Sequence, residues 1–219
     1  MHAVVETRSG KVRGSVADGV NTFMGIPYGA PPSGANRLQP PQPVAPWSGV
    51  RDALTYGRNT AHPPYPPQVS MLLPELTAAG EDCLTLNIWS PELGSAGRAV
   101  MVWIPGGMFE YHGTAASPWY DGSRFARDGI VCVTINYRVG ADGFLYLGEG
   151  NANRGLLDQV AALAWVRENI SAFGGDPDTV TIFGESAGAV SVATLLSMPR
   201  AKGLFRGAIG QSGAAHHVM

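Results

Sequence analysis

The sequence predicts an α/β fold in which a mostly parallel central sheet carries helices on both faces. Apolar runs of strand length alternate with stretches of helical spacing, and one run continues without a linker into a sharp turn and a small-residue helix. In sheets of this kind, ligands bind beyond the carboxyl ends of the strands. The 219 residues are 45% hydrophobic, which is enough for one core, so we expect one domain over residues 1–219.

The N-terminal part is expected to combine a small hairpin with a wrapping segment. Val4 to Arg13 predicts the hairpin, with Ser9-Gly10 as its turn. Prolines and glycines are so dense in residues 25–74 that long regular elements are not expected there. Large apolar side chains nevertheless recur at Phe23, Tyr28, Leu38, Trp47 and Tyr56. We therefore predict an ordered segment that packs on the core, the alternative being a disordered proline-rich arm.

Three strands are predicted in the middle of the chain. Leu84 to Trp89 has strand-like alternation, and Arg98 to Ile104 is a nearly continuous apolar run, typical of a strand buried on both faces. Ile130 to Tyr137 is the third, and Ser123 to Asp128 predicts a short helix before it. These strands would form the centre of the sheet.

The remaining elements lead to the most informative stretch. Gly155 to Ala172 has apolar residues at helical spacing, and residues 174–177, GGDP, should end that helix. Val180 to Phe183 predicts a buried strand, followed by a helix over AVSVATLLS, residues 189–197. Phe205 to Gln211 predicts the last strand.

The turn between that strand and helix matches the pattern G-x-S-x-G. Its sequence is Gly184-Glu185-Ser186-Ala187-Gly188. This pattern is typical of a sharp turn that places a serine hydroxyl above the sheet edge. Ser186 is thus the candidate nucleophile, and the N–H of Ala187 at the helix N-terminus is a candidate oxyanion donor. The alternative is a chance match in a chain with 29 glycines.

A second loop is predicted at the same rim. Pro105 to Phe109, PGGMF, follows the Arg98 to Ile104 strand, and its tandem glycines can turn backbone N–H groups into a cleft. Together with Ala187 these N–H groups would surround a tetrahedral oxyanion. An ordinary tight turn is the alternative.

Composition argues against several classes of partner. The net charge of −2 gives no reason to expect nucleic acid or an anionic membrane surface as a partner. No apolar run approaches the length of a membrane span, and the N-terminus lacks the features of a signal peptide, so we expect a cytoplasmic protein without excluding secretion. Cys83 and Cys132 are expected to be buried, reduced thiols, and no spacing indicates a metal site or a cofactor.

Five motifs occur in an order that resembles one family. They are Glu81 to Trp89, Val102 to Phe109, Ile135 to Gly140, Asn153 to Asn169 and Phe173 to Gly188. Over the chain as far as about Gly213 they resemble the type-B carboxylesterases, α/β-hydrolases that include the cholinesterases. The resemblance implies the N-terminal part of one α/β-hydrolase domain, truncated after about the sixth core strand.

The same resemblance implies roles for site residues. Ser186 would accept the acyl group of a small carboxylic ester, and the N–H groups of Gly107, Met108 and Ala187 would bind the oxyanion. Glu185 would line the site beside the nucleophile. The other residues expected to line the site are Gly106 and Phe109.

Two residues depart from the family pattern. Pro105 stands where a histidine or tyrosine is usual, and Met108 where a small residue is usual. The bulk of Met108 leaves its N–H usable but is expected to narrow the acyl pocket.

The catalytic acid and histidine are not identified in this chain. By resemblance they lie in a part that follows the matched stretch, so we expect this chain to be either a fragment or one chain of a split enzyme in which a second chain supplies them. His216 and His217 follow the last strand and are the candidate surrogate bases, although no later Asp or Glu would orient them. The last strand would also form an apolar edge open to self-association. The alternative function is a non-catalytic binding, adhesion or relic member of the fold.

Overall fold

The computed structural model describes residues 1–72, 77–94, 96–111 and 114–213. Within them lies one mixed sheet. Its strands are β1 His2–Thr7, β2 Gly10–Ala17, β3 Val20–Pro27, β4 Val50–Asp52, β5 Thr85–Ser90, β6 Arg98–Ile104, β7 Val131–Ile135, β8 Gly175–Glu185 and β9 Gly207–Gln211. The helices are α1 Pro67–Ser70, α2 Ser123–Arg127, α3 Gly140–Phe144, α4 Arg154–Asn169 and α5 Ala187–Ser197.

The sheet has an antiparallel half and a parallel half. The strand order is β1-β2-β3-β5-β7-β6-β8-β9, and β4 pairs with β2. Neighbours from β1 to β7 in this order pair antiparallel, whereas β7, β6, β8 and β9 run parallel. The parallel half contains the candidate site. The carboxyl ends of β6 and β8 lie side by side there, because Ile104 pairs with Gly184.

Helices cover both faces of the sheet, as predicted. Neighbouring residues of one strand belong to different apolar clusters, since successive side chains point to opposite faces. Ile88 and Val133 pack in the main cluster, together with residues of α4 and α5. Trp89 and Cys132 pack on the other face against Ala126 of α2.

The predicted hairpin is present, but its turn is one residue earlier than predicted. Thr7 pairs with Gly10, so Arg8 and Ser9 form the turn and Gly10 belongs to β2. A Cβ on Gly10 would lie 2.6 Å from the indole of Trp47. The glycine is therefore required by close packing of a distant residue, a contact that the local pattern does not show.

The proline-rich segment is ordered where it is described, which confirms the predicted wrapping segment. Phe23 and Tyr28 are buried, and the Tyr28 hydroxyl donates a hydrogen bond to the Asn136 carbonyl oxygen, 2.5 Å away. No long regular element lies within the described part of residues 25–74, as predicted, but the end of β3, which extends to Pro27 and pairs with β5, was not predicted. The short strand β4 was also not predicted.

Most of the later elements agree with their predictions within a few residues. The predicted helix from Gly155 to Ala172 is α4 followed by a 3-10 turn, Ile170–Phe173, and Gly174 ends it with φ 86°. Strand β8 begins at Gly175, before the predicted Val180, because Gly175 already pairs with Arg98 of β6. The helix α3 was not predicted.

Candidate active site

Ser186 lies between β8 and α5 in a conformation that few non-glycine residues adopt. Its φ is 55° and its ψ is −122°. Its N–H donates to the carbonyl oxygen of Gln211 at 2.9 Å, and its carbonyl oxygen accepts from the N–H of Val190 at 3.0 Å. Such a backbone costs about 1–3 kcal/mol and persists only where the surroundings enforce it. Strain of this kind is typical of a nucleophile held on a tight turn.

The two glycines of the motif allow close approach of backbone segments. A Cβ on Gly188 would lie 2.1 Å from the carbonyl oxygen of Ile104. A Cβ on Gly184 would lie 2.6 Å from the carbonyl carbon of Gly188. The strained backbone torsion thus belongs to Ser186, while the glycines make room for β6 beside the turn. This steric need is not what a chance match would show.

The loop after β6 lies directly against the serine. A Cβ on Gly106 would lie 3.3 Å from the Ser186 Cβ and 2.7 Å from the Glu185 carbonyl oxygen. Gly107, Met108 and Phe109 follow with positive φ of 112°, 59° and 62°. Successive residues in this region turn the backbone sharply, so the loop differs from an ordinary extended connection.

Hydrogen bonds from neighbouring elements hold this loop in place. The Tyr137 hydroxyl donates a hydrogen bond to the Pro105 carbonyl oxygen at 2.8 Å. The Gly140 N–H donates one to the Phe109 carbonyl oxygen at 2.6 Å. Burial raises the pKa of Tyr137 well above its ordinary value, so the hydroxyl stays a donor. These two hydrogen bonds hold both ends of the loop from within the protein.

Three N–H groups near Ser186 have no acceptor within the part of the chain that the structure describes. Among the hydrogen bonds of the described residues, none uses the N–H of Gly107, Met108 or Ala187. Ala187 is the first residue of α5, so its N–H lies at the positive end of the helix dipole. The sequence predicted these same N–H groups as oxyanion donors, and that role stays a prediction.

A cavity of about 420 Å³ begins at this loop. Gly106, Gly107 and Glu185 are among its lining residues, whereas Ser186 is not. The side chain of Met108 is 55% exposed and lies outside the cavity lining. The ring of Phe109 packs against Phe144, with centroids 4.9 Å apart, also outside that lining. Glu185, taken as a whole residue, is exposed.

The described residues place no imidazole in the lining of this cavity. His2 lies on β1, six strand spacings or about 29 Å from β8. The Nδ1 atom of His62 lies 2.8 Å from the Pro63 carbonyl oxygen, and His62 does not line the cavity. The candidate surrogates His216 and His217 lie outside the described residues, as does His112.

A buried ion pair that the sequence did not reveal positions the neighbouring segment. Arg138 donates to the Asp158 carboxylate through Nε and Nη2, each at 2.8 Å, and through its backbone N–H at 3.0 Å. Burial raises the pKa of Asp158, while the hydrogen bonds and charge of Arg138 act in the opposite direction. Arg138 stands two residues before Gly140, which holds the loop after β6. The only sign of this ion pair in the local sequence was an arginine within the otherwise uncharged motif INYRVG, residues 135–140.

Both cysteines are buried free thiols, as predicted. Burial is the main cause that raises the pKa of Cys83 and of Cys132 to about 12, so both stay protonated at neutral pH. In the described part of the chain, no group of three or more His, Cys, Asp and Glu side chains is arranged to hold a metal ion. No helix among those residues is long and apolar enough to span a membrane.

Comparison with known proteins decides the family. The model of the Carboxylesterase family matches residues 1–219. The chain belongs to the carboxylesterase family. This confirms the resemblance identified from the five motifs, and with it the α/β-hydrolase fold.

Relatives within the carboxylesterase family match almost all of the chain. Para-nitrobenzyl esterase of Bacillus subtilis (strain 168) is 51% identical over 219 residues, 98% of this chain and 44% of the relative. Phenmedipham hydrolase of Pseudarthrobacter oxydans is 44% identical, over 95% of this chain and 42% of the relative. A carboxylesterase of Geobacillus stearothermophilus superimposes with a TM-score of 0.88 at 50% identity, over 97% of this chain and 44% of its own. The chain therefore spans less than half the length of these relatives.

Proposed function

We propose that this chain provides the nucleophile and the oxyanion site of a carboxylic ester hydrolase. The observation that carries the proposal is the close approach of the loop after β6 to Ser186, since a Cβ on Gly106 would lie 3.3 Å from the Ser186 Cβ. The family and the names of the relatives support ester cleavage as the reaction. The loop supports it because the N–H groups of Gly107 and Met108, which follow Gly106, and that of Ala187 have no acceptor among the described residues.

In the proposed reaction the Oγ of Ser186 attacks the carbonyl carbon of an ester. The N–H groups of Gly107, Met108 and Ala187 bind the oxyanion that forms. Collapse of the tetrahedral intermediate breaks the ester C–O bond, releases the alcohol and leaves an acyl-serine. Water then attacks the acyl carbon, which releases the carboxylic acid and restores the hydroxyl.

A general base must take the proton from Ser186, and we propose that it comes from another polypeptide segment. The Ser186 N–H is bonded to the end of β9, so a segment that follows or joins this edge could reach the hydroxyl. The greater length of the relatives supports such a segment. A second chain supplying the acid and histidine, and a cytoplasmic location, both stay predictions.

The second candidate function is a non-catalytic binding module with the same fold. The absence of a base from the cavity lining, among the described residues, favours it. The strained Ser186 and the unpaired donors favour the hydrolase, because a binding module has no use for them.

Covalent labelling tests the proposal directly. In the protein that contains the segment supplying the base, a fluorophosphonate should modify Ser186, and Ser186→Ala should remove the labelling and any hydrolysis of short p-nitrophenyl esters. Ser197→Ala is the matched control, because Ser197 is exposed at the other end of α5 and donates only to the Thr194 carbonyl oxygen. Labelling that persists in Ser186→Ala would contradict the proposal.

The histidines can be tested in the same assays. If a separate segment supplies the base, His216→Ala and His217→Ala should leave labelling and turnover unchanged. Loss of turnover in either variant, with folding unchanged, would show that the chain has its own makeshift base.

A further inference from the structure

A buried amide of α4 is bonded to the helix that begins at the serine turn. Gln159 of α4 and Ser191 of α5 are both 0% exposed. The Gln159 Nε2 atom donates a hydrogen bond to the Ser191 Oγ atom, 3.0 Å away. Among the hydrogen bonds recorded for the described residues, no other joins these two helices. This bond is therefore the directional contact between α4 and α5.

Ser191 lies one helical turn beyond Ala187 on the same face of α5. Residues four apart share a helix face, and Ala187, Ser191 and Leu195 are all buried. The N–H of Ala187 is a candidate oxyanion donor. In the same turn, the Ser186 carbonyl oxygen accepts from the Val190 N–H. A rotation of α5 at Ser191 would therefore move Ser186 and the Ala187 N–H with it.

The first turn of α5 has few other groups that could fix its rotation. Ala187, Gly188 and Ala189 have no side-chain atoms beyond Cβ, and Ser191 is the first residue of the helix with a hydrogen-bonding side chain. Packing of small apolar side chains is not directional, whereas a hydrogen bond depends on distance and angle. The bond from Gln159 therefore selects one rotation of α5 against α4.

The amide of Gln159 is only half satisfied. Its Oε1 atom has no hydrogen-bond partner among the described residues. A buried acceptor without a partner is unfavourable, and an apolar side chain at this place would avoid the penalty. The stability of the interface thus gives little reason for an amide here, whereas the orientation of α5 does.

The residue before Gln159 supports the other side of the site. Asp158 binds Arg138, and two residues later the Gly140 N–H donates to the Phe109 carbonyl oxygen in the loop after β6. Two consecutive residues of α4 thus support the two segments that carry the candidate oxyanion donors. Asp158 supports the loop after β6, and Gln159 supports the first turn of α5.

We propose that Gln159 is a positioning residue, which acts through Ser191 to hold the Ala187 N–H where it can bind the oxyanion formed at Ser186. This role rests on the proposed ester hydrolysis, because it concerns the geometry of that reaction. Gln159 does not line the cavity beside the loop after β6. Loss of the bond should therefore slow the reaction and leave the binding of the ester unchanged.

Steady-state kinetics test this role in the protein that contains the segment supplying the base. Gln159→Met keeps an unbranched side chain without a donor. Its kcat for p-nitrophenyl acetate should fall about tenfold while KM changes by less than about twofold, because a misplaced donor stabilises the transition state less. An unchanged kcat in folded Gln159→Met would overturn the proposal.

Asn169→Leu is the matched control. Asn169 is a buried amide at the end of the same helix, but it bonds the Arg8 N–H and the Trp165 carbonyl oxygen and not α5. This change should lower the midpoint of urea unfolding and leave kcat unchanged. A fall in kcat as large as that of Gln159→Met would show that any loss of stability in α4 slows the reaction, which would also overturn the proposal.

A double variant separates positioning from stability. Gln159→Met combined with Ser191→Ala removes both partners, so neither buried polar group is left unsatisfied and the midpoint of urea unfolding should stay near that of the wild type. If Gln159 positions α5, kcat should remain about tenfold lower in the double variant. Recovery of kcat together with stability would assign the pair a purely structural role and would contradict the proposal.

The two proposals fail in different ways. Hydrogen exchange of residues 184–192, followed by mass spectrometry, should be faster in Gln159→Met than in Asn169→Leu whether or not esters are cleaved. Faster exchange without ester hydrolysis by the wild type contradicts the hydrolase and leaves the role of Gln159 in holding α5 standing. Hydrolysis by the wild type with unchanged kcat and exchange in Gln159→Met contradicts the positioning alone. Neither hydrolysis nor a change in exchange contradicts both.

Discussion

At the scale of single residues, the backbone torsions of the site depend on a few buried hydroxyl and amide groups. Ser186 and Met108 both have positive φ without being glycine. Neither torsion is locally favourable, since the left-handed region costs an L-residue about 1–2 kcal/mol. The surrounding hydrogen bonds must offset this cost, and Tyr137 makes one of them.

Tyr137→Phe tests that role. The change removes the only donor to the Pro105 carbonyl oxygen among the recorded hydrogen bonds of the described residues, so we expect a looser loop and slower fluorophosphonate labelling of Ser186. A buried carbonyl left without its donor should also lower the free energy of unfolding by about 1–3 kcal/mol.

The matched control is Tyr28→Phe. Tyr28 is also buried and donates to a carbonyl oxygen, that of Asn136, but it belongs to the wrapping segment and not to the loop contacts. It should lose similar stability with little change in labelling rate. Equal labelling rates in both variants would show that Tyr137 stabilises the fold without shaping the loop.

At the scale of elements, the connection from β7 to α4 determines how the loop after β6 is supported. The Arg138–Asp158 pair joins the end of β7 to α4 with side chains that are 3% and 0% exposed. Gly140, at the start of α3, then donates to Phe109. The buried ion pair thus connects β7 with α4, and the backbone hydrogen bond connects α3 with the loop after β6.

Asp158→Asn should be strongly destabilising. Removing one partner of a buried pair leaves the Arg138 charge uncompensated, at a cost of about 3–5 kcal/mol. Urea unfolding followed by circular dichroism measures this. Asp178→Asn is the control, because its pair with Arg167 is exposed and should contribute less than about 1 kcal/mol. A loss below 1 kcal/mol in Asp158→Asn would mean that the pair is not essential to this connection.

At the scale of the whole molecule, the sheet presents two outer strands. β1 and β9 each pair with one neighbour among the described strands. β9 is mostly exposed and its Ile209 side chain is 45% exposed, next to a groove with α5 lined by small and apolar residues. Unpaired edges with apolar side chains are templates for further strands. This supports the predicted self-association, or the joining of a second chain, at β9.

Association at that edge can be measured by light scattering. The chain at high micromolar concentration should dimerise or aggregate, and Ile209→Lys should shift it towards monomer, since a charged residue on an edge strand opposes pairing. Val4→Lys on β1 is the matched control, because Val4 is similarly exposed on the opposite edge. A monomeric wild-type chain would contradict the prediction. If Val4→Lys makes the chain monomeric and Ile209→Lys does not, the contact between copies lies at β1 and not at β9.

Most strands, the serine turn and the family could be predicted from the sequence because their signals are local. The apolar runs of β6 and β7 report burial on both faces whatever their partners are. The turn at Ser186 combines a strand, a five-residue motif and a helix within one continuous stretch. Even the loop after β6, which we propose binds the oxyanion, follows a recognisable strand, and its two glycines are adjacent in the sequence.

Contacts between distant parts of the chain were decided only by the tertiary structure. Gly10 packs closely on Trp47 and belongs to β2 instead of the hairpin turn, and the pairing of β3 with β5 made a strand out of part of a proline-rich region. The cavity beside the loop after β6 joins residues from Tyr65 to Glu185, and the Arg138–Asp158 pair joins a strand end to a helix. Such contacts depend on strand order and register, which bring together residues that are far apart in the sequence. Local sequence patterns carry no information about these distances.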